Sequence, residues 1–215
     1  MEAITINEAR DWMDGLDPVH DFGHVLRVYQ MAERLGIAEG ADLAILRAAA
    51  LLHDARGSAP GGEGEGRLEH HIASAEFAGK VLTGKGWPEE KIRAVQHCIR
   101  AHRYRSQDET PESLEAKVLF DADKLDVLGA IGAARTIAYA ALNGEPIYAE
   151  PSEQFLKTGQ TEVGEPHSSY HEFLFKLQHV KDRLLTDSGR KLADERYHYL
   201  CDFYNQLQAE VRGER

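Results

Sequence analysis

The residues of this chain best suited to chemistry are two histidines and two aspartates in three separate segments. The adjacent pair His53 and Asp54 ends an apolar run. His24 lies upstream within HDFGHVLRV, and Asp123 lies downstream within LFDADKLD. Two imidazoles and two carboxylates form a donor set that suits a divalent ion such as Mn²⁺, Mg²⁺, Fe²⁺, Ni²⁺ or Zn²⁺. The pattern predicts a site for one divalent metal ion, held by these four side chains.

The elements that carry these residues must bring them to one point. Adjacent side chains diverge by about 100° on a regular helix, so His53 and Asp54 face one ion only if they lie at a helix end. The glycine-rich stretch 56–67, RGSAPGGEGEGR, predicts such an end and a loop after it. His24 at the start of one helix and Asp123 on another then complete the site. Four protein ligands leave an octahedral ion about two positions for water or a substrate atom.

Apolar residues recur every three or four positions along most of the chain, which predicts an all-α fold. The segment 143–166 holds three of the seven prolines and is predicted to be a long loop, a lid or a partly disordered insert. The helix through DADKLD either continues to about residue 142 or is followed by a separate helix. The predicted organisation is one helical domain, with a core over 17–142, the insert, and two long closing helices near 168–186 and 188–212.

Three short motifs and two longer segments resemble the HD-domain metal-dependent phosphohydrolases. The motifs are H-x-x-R-V from His24, A-x-L-L-H-D ending at Asp54, and D-A-D-K-L-D around Asp123. The segments 121–136 and 167–200 are similar to the bacterial subgroup that includes nucleotide pyrophosphohydrolases. The likeness covers most of residues 17–212. It implies an HD-type helical bundle with a C-terminal helical extension, and cleavage of a nucleoside triphosphate to monophosphate and pyrophosphate.

The resemblance also chooses between neighbouring candidates. It selects Asp123 over Asp121, because the ligand directly precedes Lys-Leu, and His24 over His20, because the ligand precedes x-x-Arg-Val. Asp121 is then a group that supports the ligands, faces the substrate or lies on the helix surface. The pair His20-Asp21 either orients the ligands or caps the helix. Asp54 is implied to be catalytic as well as a ligand, by helping to orient the attacking water.

Two further histidines leave the number of metal ions open. His70 and His102 stand where some HD enzymes, with the pattern H…HD…H…H…D, have extra ligands. The spacing H-x-x-x-S-A favours His70 over His71. The alternative is that His70 and His102 hold a substrate phosphate beside a single metal ion. We expect one tightly bound ion and treat a second as the alternative; His97 is expected to be structural.

Several cationic side chains are predicted to contact the substrate. Lys124 follows Asp123 directly, which suits a catalytic or phosphate-binding role, although an outward salt bridge is the alternative. Arg103 could clamp phosphate or could lie on a solvated helix end. The other candidates are Arg27 in the H-x-x-R-V motif and, in the subgroup-like segment, His171, Lys176 and Arg196. For the last three the alternative is a polar face between two packed helices.

Composition restricts the partners. The chain has 215 residues and a formal net charge of −11, so it lacks the basic field that draws nucleic acid or anionic membranes. Its two cysteines, Cys98 and Cys201, have no metal-binding spacing and predict free thiols in the cytoplasm. No cationic start precedes an apolar run, and no apolar stretch approaches the length of a membrane span. The predicted partner is a small phosphorylated molecule, most simply a nucleotide; the oligomeric state is left open.

Other functions compete with pyrophosphohydrolysis. Phosphomonoesterase or phosphodiesterase activity on another phosphorylated metabolite needs the same metal site. Oxygenase chemistry at a di-iron centre would need His70 and His102 as ligands. A non-catalytic nucleotide-sensing module is the alternative of another class, but a degenerate sensor usually loses at least one ligand and all four are present here.

Overall fold

In the computed structural model, residues 1–13, 21–56, 66–103 and 109–215 are described. The prediction for His20 and most of the predicted loop 56–67 lie outside these ranges. Within them every regular element is helical, which confirms the all-α fold. The α-helices α1 to α10 are Ile6–Asp11, Phe22–Glu39, Leu43–Leu52, Gly66–Gly84, Glu89–Ala101, Leu114–Leu125, Gly129–Leu142, Glu153–Thr158, Ser169–Phe175 and Asp187–Val211.

The chain packs as two compact units. The first unit contains Met1–Lys124 together with Leu185–Gly189, and the second contains Leu125–Leu184 together with Arg190–Arg215. All of the predicted metal ligands belong to the first unit. The organisation as a single domain stays a prediction.

Helix α3 lies at the centre of the first unit, where it packs against α1, α2, α4 and α5. It begins at Asp42, whose carboxylate accepts hydrogen bonds from the backbone N–H groups of Ala44 and Ile45 at 2.9 and 3.3 Å. Nearly all of its apolar side chains are buried, including Leu46, Leu51 and Leu52. Each such leucine contributes about 1.5–3 kcal/mol of burial free energy. Because α3 is central, the residues that follow its C-terminal end, His53 and Asp54, lie inside the first unit.

Helix α2 begins at a side-chain cap and ends at a glycine. The carboxylate of Asp21 accepts a hydrogen bond from the backbone N–H of His24 at 3.1 Å, which places His24 in the first turn. Of the two roles predicted for Asp21, the structure shows the cap. The helix stops at Gly40, where a φ of 79° requires the left-handed region that glycine tolerates. The cap therefore determines where the His24 side chain leaves the helix.

Helices α4, α5 and α6 complete the first unit. Helices α4 and α5 pack against each other and against α3. Helix α5 ends with His102 as its C-cap, and Asp123 lies in the last turn of α6. The apolar face of α6 is buried, with Ala116, Val118 and Leu119 fully inaccessible to solvent. Each candidate metal-binding residue thus lies at or near a helix end.

The second unit departs from the predicted pair of long helices. Helix α7 is separate from α6, and the expected helix over 168–186 ends at Phe175. At Lys176 the backbone leaves helical geometry, with φ −121° and ψ −55°, and two 3₁₀ turns follow, Leu177–His179 and Lys181–Arg183. No glycine or proline marks this break, so tertiary packing has overridden the local helical preference. Helix α10 then runs unbroken, close to the predicted range.

The segment 143–166 is more regular than expected. It contains α8, which Ser152 caps by accepting a hydrogen bond from the Phe155 N–H at 3.0 Å. The Glu165 carboxylate accepts from the backbone N–H groups of Ser152 and Glu162 at 2.7 and 2.6 Å. Gly159 ends the helix at a φ of 73°, where an added Cβ would meet the Phe175 ring at 2.1 Å. These contacts give the insert a defined backbone.

In the described ranges no single helix is both long and apolar enough to cross a membrane, and only the consecutive helices α6 and α7 meet that criterion jointly.

Candidate metal centre

His53 and Asp54 occupy the C-terminal end of α3, as their convergence on one point requires. His53 is the C-cap residue and is completely buried. Its Nδ1 lies 2.8 Å from the carbonyl oxygen of Ala50. Because a carbonyl only accepts hydrogen bonds, Nδ1 carries the proton and Nε2 of the neutral ring keeps its lone pair. The hydrogen bond to Ala50 orients the ring, as hydrogen bonds to the outer nitrogen of metal-bound histidines do.

The structure brings His24 and Asp123 to the same point. The Nε2 atom of His24 lies 3.3 Å from Nε2 of His53, 3.4 Å from Oδ1 of Asp123 and 3.7 Å from Oδ2 of Asp54. The Nε2 atom of His53 is 3.5 Å from Oδ2 of Asp54. Donors about 2.1 Å from an octahedral ion are about 3 Å apart when they are neighbours. The observed separations are slightly longer, and Nε2 of His24 lies close to one donor atom of each of the other three predicted ligands. Binding of one ion by all four stays a prediction.

A second observation also favours a cation at this point. The Oδ1 atom of Asp54 is buried and makes no hydrogen bond to any described residue. A buried carboxylate oxygen without a hydrogen bond is costly, and a nearby positive charge relieves that cost. Together with the inward lone pair of His53, this oxygen makes the donor set fit a divalent metal ion.

His70 and His102 approach Asp54 from its other side. Their Nε2 atoms lie 3.4 and 3.6 Å from Oδ1, whereas His24 and His53 face Oδ2. His102 donates from Nδ1 to the Ile99 carbonyl, so its Nε2 also points a lone pair inward. The donor atoms form two overlapping groups, each within 4.8 Å: His24, His53 and Asp123, and His53, Asp54 and His102. These groups share His53, and the two oxygens of Asp54 face different pairs of imidazoles. This arrangement is compatible with a second ion or with a phosphate held by His70 and His102.

The other two histidines of α4 and α5 take different places. His71 is buried, with its ring centroid 5.9 Å from that of His70. His97 donates a hydrogen bond from Nδ1 to the Glu109 carboxylate at 2.6 Å and accepts one at Nε2 from the Glu112 N–H. These contacts secure the connection between α5 and α6, consistent with a structural role for His97.

Exposure shows which side of the cluster is open. The side chains of His53, His24 and His102 are 0, 4 and 5 % exposed, whereas those of Asp54 and Asp123 are 21 and 16 % exposed. The imidazoles thus form the floor of the site, and the two carboxylates face solvent. A phosphorylated substrate would approach from the carboxylate side.

The protonation states also suit a divalent cation. Burial lowers the pKa of His53 to about 4, so this imidazole is neutral at pH 7. Burial by itself would raise the pKa of Asp54, but the nearby imidazoles, His53 first, hold that pKa well below its usual range. Burial opposes and Lys124 favours ionisation of Asp123, whose pKa is also lowered. The neutral imidazole of His53 and the two ionised carboxylates are the forms that bind metal.

Acid is expected to destabilise the metal-free protein through His53. The ordinary imidazole pKa is 6.5 and the folded value is about 4, so between these values the unfolded chain binds a proton that the folded chain excludes. The free energy of unfolding therefore falls as the pH falls through this window. Urea unfolding at pH 7 and pH 5 in a chelator measures it, and His53→Gln should lose less stability than wild type. Equal losses in both proteins would contradict the assignment.

Lys124 contacts the predicted ligand Asp123. Its Nζ lies 2.5 Å from Oδ2 of Asp123, on the carboxylate oxygen that does not face His24, and 5.2 Å from the centre of the Phe120 ring. Lys124 is buried. Of the alternatives raised by the sequence, the structure shows a salt bridge, directed at the metal centre rather than outward.

Arg27 and Arg103 lie near centre residues along the chain. Arg27 lies three residues after His24 on α2, and Arg103 directly follows His102. Both side chains are half-buried. Their predicted contacts with substrate phosphate stay predictions.

The three candidates from the C-terminal segment lie in the second unit, where each has structural contacts. His171 is fully buried between the hydroxyl of Ser168 at 2.7 Å and the carboxylate of Glu165 at 3.0 Å. These contacts join the insert to α9. Substrate binding by His171 stays a prediction.

Lys176 and Arg196 are similarly engaged. Lys176 forms an ion pair with Glu172, one turn earlier on α9. The guanidinium of Arg196 donates to the carbonyl of Leu125 at 2.5 Å, and its aliphatic stem lies 3.3 Å from the position of a Cβ on Gly129. Gly129 has a φ of 70°, which accounts for glycine at this turn. Their predicted roles in substrate binding also stay predictions.

Comparison with known proteins identifies the family of this chain. The HD domain family model matches residues 21–128, which include His24, His53, Asp54 and Asp123. The Bacillus subtilis protein YpgQ is 32% identical over 200 residues, covering 90% of this chain and 85% of YpgQ. The crystal structure of YpgQ in complex with ADP superposes with a TM-score of 0.72 at 29% identity, over 97% of this chain and 99% of that chain.

A second solved structure carries an enzyme class in its name. An HD-superfamily hydrolase from Bacillus thuringiensis superposes with a TM-score of 0.71 at 29% identity, over 96% of this chain and 94% of that chain. The matched family model and the His/Asp cluster that it includes lead to the same conclusion. The chain belongs to the HD-domain superfamily of metal-dependent phosphohydrolases.

Proposed function

We propose that this enzyme hydrolyses nucleoside triphosphates to monophosphate and pyrophosphate, using one divalent ion, with Mn²⁺ as the first candidate. The observation that carries the proposal is the cluster around Asp54, in which His24, His53, Asp54 and Asp123 lie close together and one oxygen of Asp54 faces two more imidazoles. The nucleotide is supported by the ADP bound to YpgQ, which this chain resembles over nearly its whole length.

His24, His53, Asp54 and Asp123 would hold the ion. Two imidazoles and two carboxylates accept Mn²⁺, Fe²⁺, Ni²⁺ or Zn²⁺, and the ionised carboxylates also suit Mg²⁺. Bound there, the ion supplies Lewis-acid chemistry, acidifying water and polarising a phosphoryl oxygen. The ammonium of Lys124 binds Oδ2 of Asp123, so that the other oxygen of this carboxylate, Oδ1, stays directed toward His24.

The remaining residues of the cluster act on water and phosphate. Asp54 stays ionised at neutral pH because its pKa lies well below the usual range, so it accepts a hydrogen bond from the attacking water and orients it. His70 and His102 face the same carboxylate, and in the imidazolium form their Nε2 atoms donate hydrogen bonds to a phosphoryl oxygen while Nδ1 of His102 keeps its bond to the Ile99 carbonyl. Arg27 and Arg103 add positive charge for the outer phosphates.

The cysteines support the proposed cytoplasmic location. Cys98 and Cys201 are both free thiols. Cys98 is buried, and burial raises its pKa to about 12, so it is neither a nucleophile nor a metal ligand at neutral pH. Unpaired thiols are usual in a reducing compartment.

The products identify the bond that is cleaved. Nucleoside triphosphates, diphosphates and monophosphates are incubated with the enzyme and Mn²⁺, and pyrophosphate, orthophosphate and nucleoside monophosphate are quantified. We expect equal amounts of pyrophosphate and monophosphate from the triphosphates, and none in the presence of a chelator. Orthophosphate without pyrophosphate would replace the proposal with a phosphatase. Absence of any product from a metal-loaded enzyme would remove nucleotides as substrates.

A further inference from the structure

Asp121 occupies an unusual position two residues before the ligand Asp123. It is completely buried on α6. Its Oδ1 accepts a hydrogen bond from the Leu185 N–H at 2.8 Å, and its Oδ2 accepts from the N–H and the hydroxyl of Thr186 at 2.8 and 2.6 Å. A carboxylate that accepts from three donors holds those donors firmly, since charge-assisted hydrogen bonds are short and strong.

The segment that meets Asp121 is the start of the last helix. Thr186 precedes α10, and its hydroxyl accepts a hydrogen bond from the Gly189 N–H at 3.1 Å while donating to Asp121. A Cβ on Gly189 would come within 2.3 Å of the Asp121 carboxylate, so only glycine permits this approach. The Gly189 N–H, one of the groups that a helix start leaves unpaired, is thereby satisfied.

The same segment also holds α2. The backbone N–H of Ser188 donates to Oε1 of Glu39, the last residue of α2, at 2.8 Å. Helix α2 carries His24 and helix α6 carries Asp123. Residues 185–189 therefore join the two helices that bring these ligands to the centre from outside α3.

The position of Asp121 on α6 shows what this junction does. Side chains two residues apart on a helix point about 200° apart. Residues 185–189 therefore contact α6 on the face opposite to Asp123. A carboxylate about 5 Å from the helix axis moves by about 1 Å for a rotation of about 10°. Metal–ligand distances tolerate deviations of only about 0.2 Å. A small rotation of α6 would therefore misplace Asp123.

From this arrangement we infer that Asp121 is a positioning residue for the metal ligand Asp123, acting through residues 185–189, and that the start of the C-terminal helix thereby sets the metal affinity. The inference rests on the ligand set of the proposed function. It does not depend on the identity of the substrate.

The test measures Mn²⁺ affinity from the electron paramagnetic resonance signal of the free ion, with no nucleotide present. Thr186→Val removes the hydroxyl that joins Asp121 to Gly189, and we expect the dissociation constant to rise about tenfold, the lower end for groups that orient ligands. Thr186→Ser keeps the hydroxyl and should stay within about twofold of wild type. Thr5→Val makes the same change at the cap of α1 and should lower the melting temperature without changing the affinity.

Wild-type affinity in a folded Thr186→Val protein would overturn the inference and leave the hydroxyl a purely structural role. Asp121→Asn is the second variant: its amide turns an N–H toward a donor, and unchanged affinity in that folded protein would overturn the inference equally. Failure of wild type to bind Mn²⁺ would refute the metal centre, and the inference with it. If wild type binds Mn²⁺ but hydrolyses no nucleotide, the proposed substrate is wrong, whereas the metal centre and the role of Asp121 are unaffected.

Discussion

Replacing Asp54 with alanine is expected to lower metal-dependent turnover at least about 1,000-fold while leaving the helix content unchanged. The Lewis-acid contribution of a bound metal is worth several kcal/mol, and about 1.4 kcal/mol corresponds to a factor of ten in rate. Asp54 is the one carboxylate whose oxygens face all four imidazoles of the cluster, among the described residues. Its removal takes away a ligand, the oxygen that faces His70 and His102, and the proposed acceptor for water.

The measurement pairs turnover of a phosphorylated substrate with Mn²⁺ binding and far-ultraviolet circular dichroism. Asp202→Ala, which removes an exposed carboxylate of α10, is the matched control and should keep wild-type turnover. Metal-dependent turnover that survives in Asp54→Ala would refute the assignment of this residue. Loss of helix content would show that Asp54 also maintains the fold, and Asp54→Asn, which preserves the side-chain shape, would then carry the test.

Replacing Lys124 with methionine is expected to weaken Mn²⁺ binding about 10- to 100-fold, the range for groups that support metal ligands. The ammonium lies 2.5 Å from Oδ2 of Asp123. Its positive charge helps to keep the pKa of that carboxyl low, against the opposing effect of burial. Without Lys124 this oxygen loses its partner, and the carboxylate loses both its orientation and part of its acidity. The primary readout is therefore the metal dissociation constant, before any substrate is added.

The chain offers a matched pair for this experiment. Lys91 contacts Asp42 at 2.8 Å at the start of α3, so Lys91→Met breaks a similar ion pair that is remote from the ligand Asp123 along the chain. We expect that control to bind Mn²⁺ as wild type does. An unchanged metal affinity in Lys124→Met, combined with a higher KM for the substrate, would assign Lys124 to the substrate phosphate instead. That result would restore the role that its position in the sequence suggested.

Much of the centre was accessible from the sequence because its signals are local. The apolar period of α3 and the glycine-rich stretch after it predicted that His53 and Asp54 end a buried helix. The residues that follow His24 and Asp123 in the family motifs distinguished them from their neighbours. In the structure their side chains lie close to those of His53 and Asp54. The insert shows the limit of such reasoning. Its prolines predicted a long loop, whereas Ser152 and Glu165 organise a capped helix there.

By itself, the sequence determined the all-α class, the family and the candidate metal donors, because helical period, composition and motif spacing are properties of short stretches of chain. Only the tertiary structure decided which oxygen of Asp54 faces which imidazole, that Lys124 contacts Asp123, and that Asp121 receives the start of the last helix. The partners of Asp121 are 64 and 65 residues away in sequence. Contacts of that kind depend on which helix ends meet once their apolar faces are buried, and no local pattern encodes that choice.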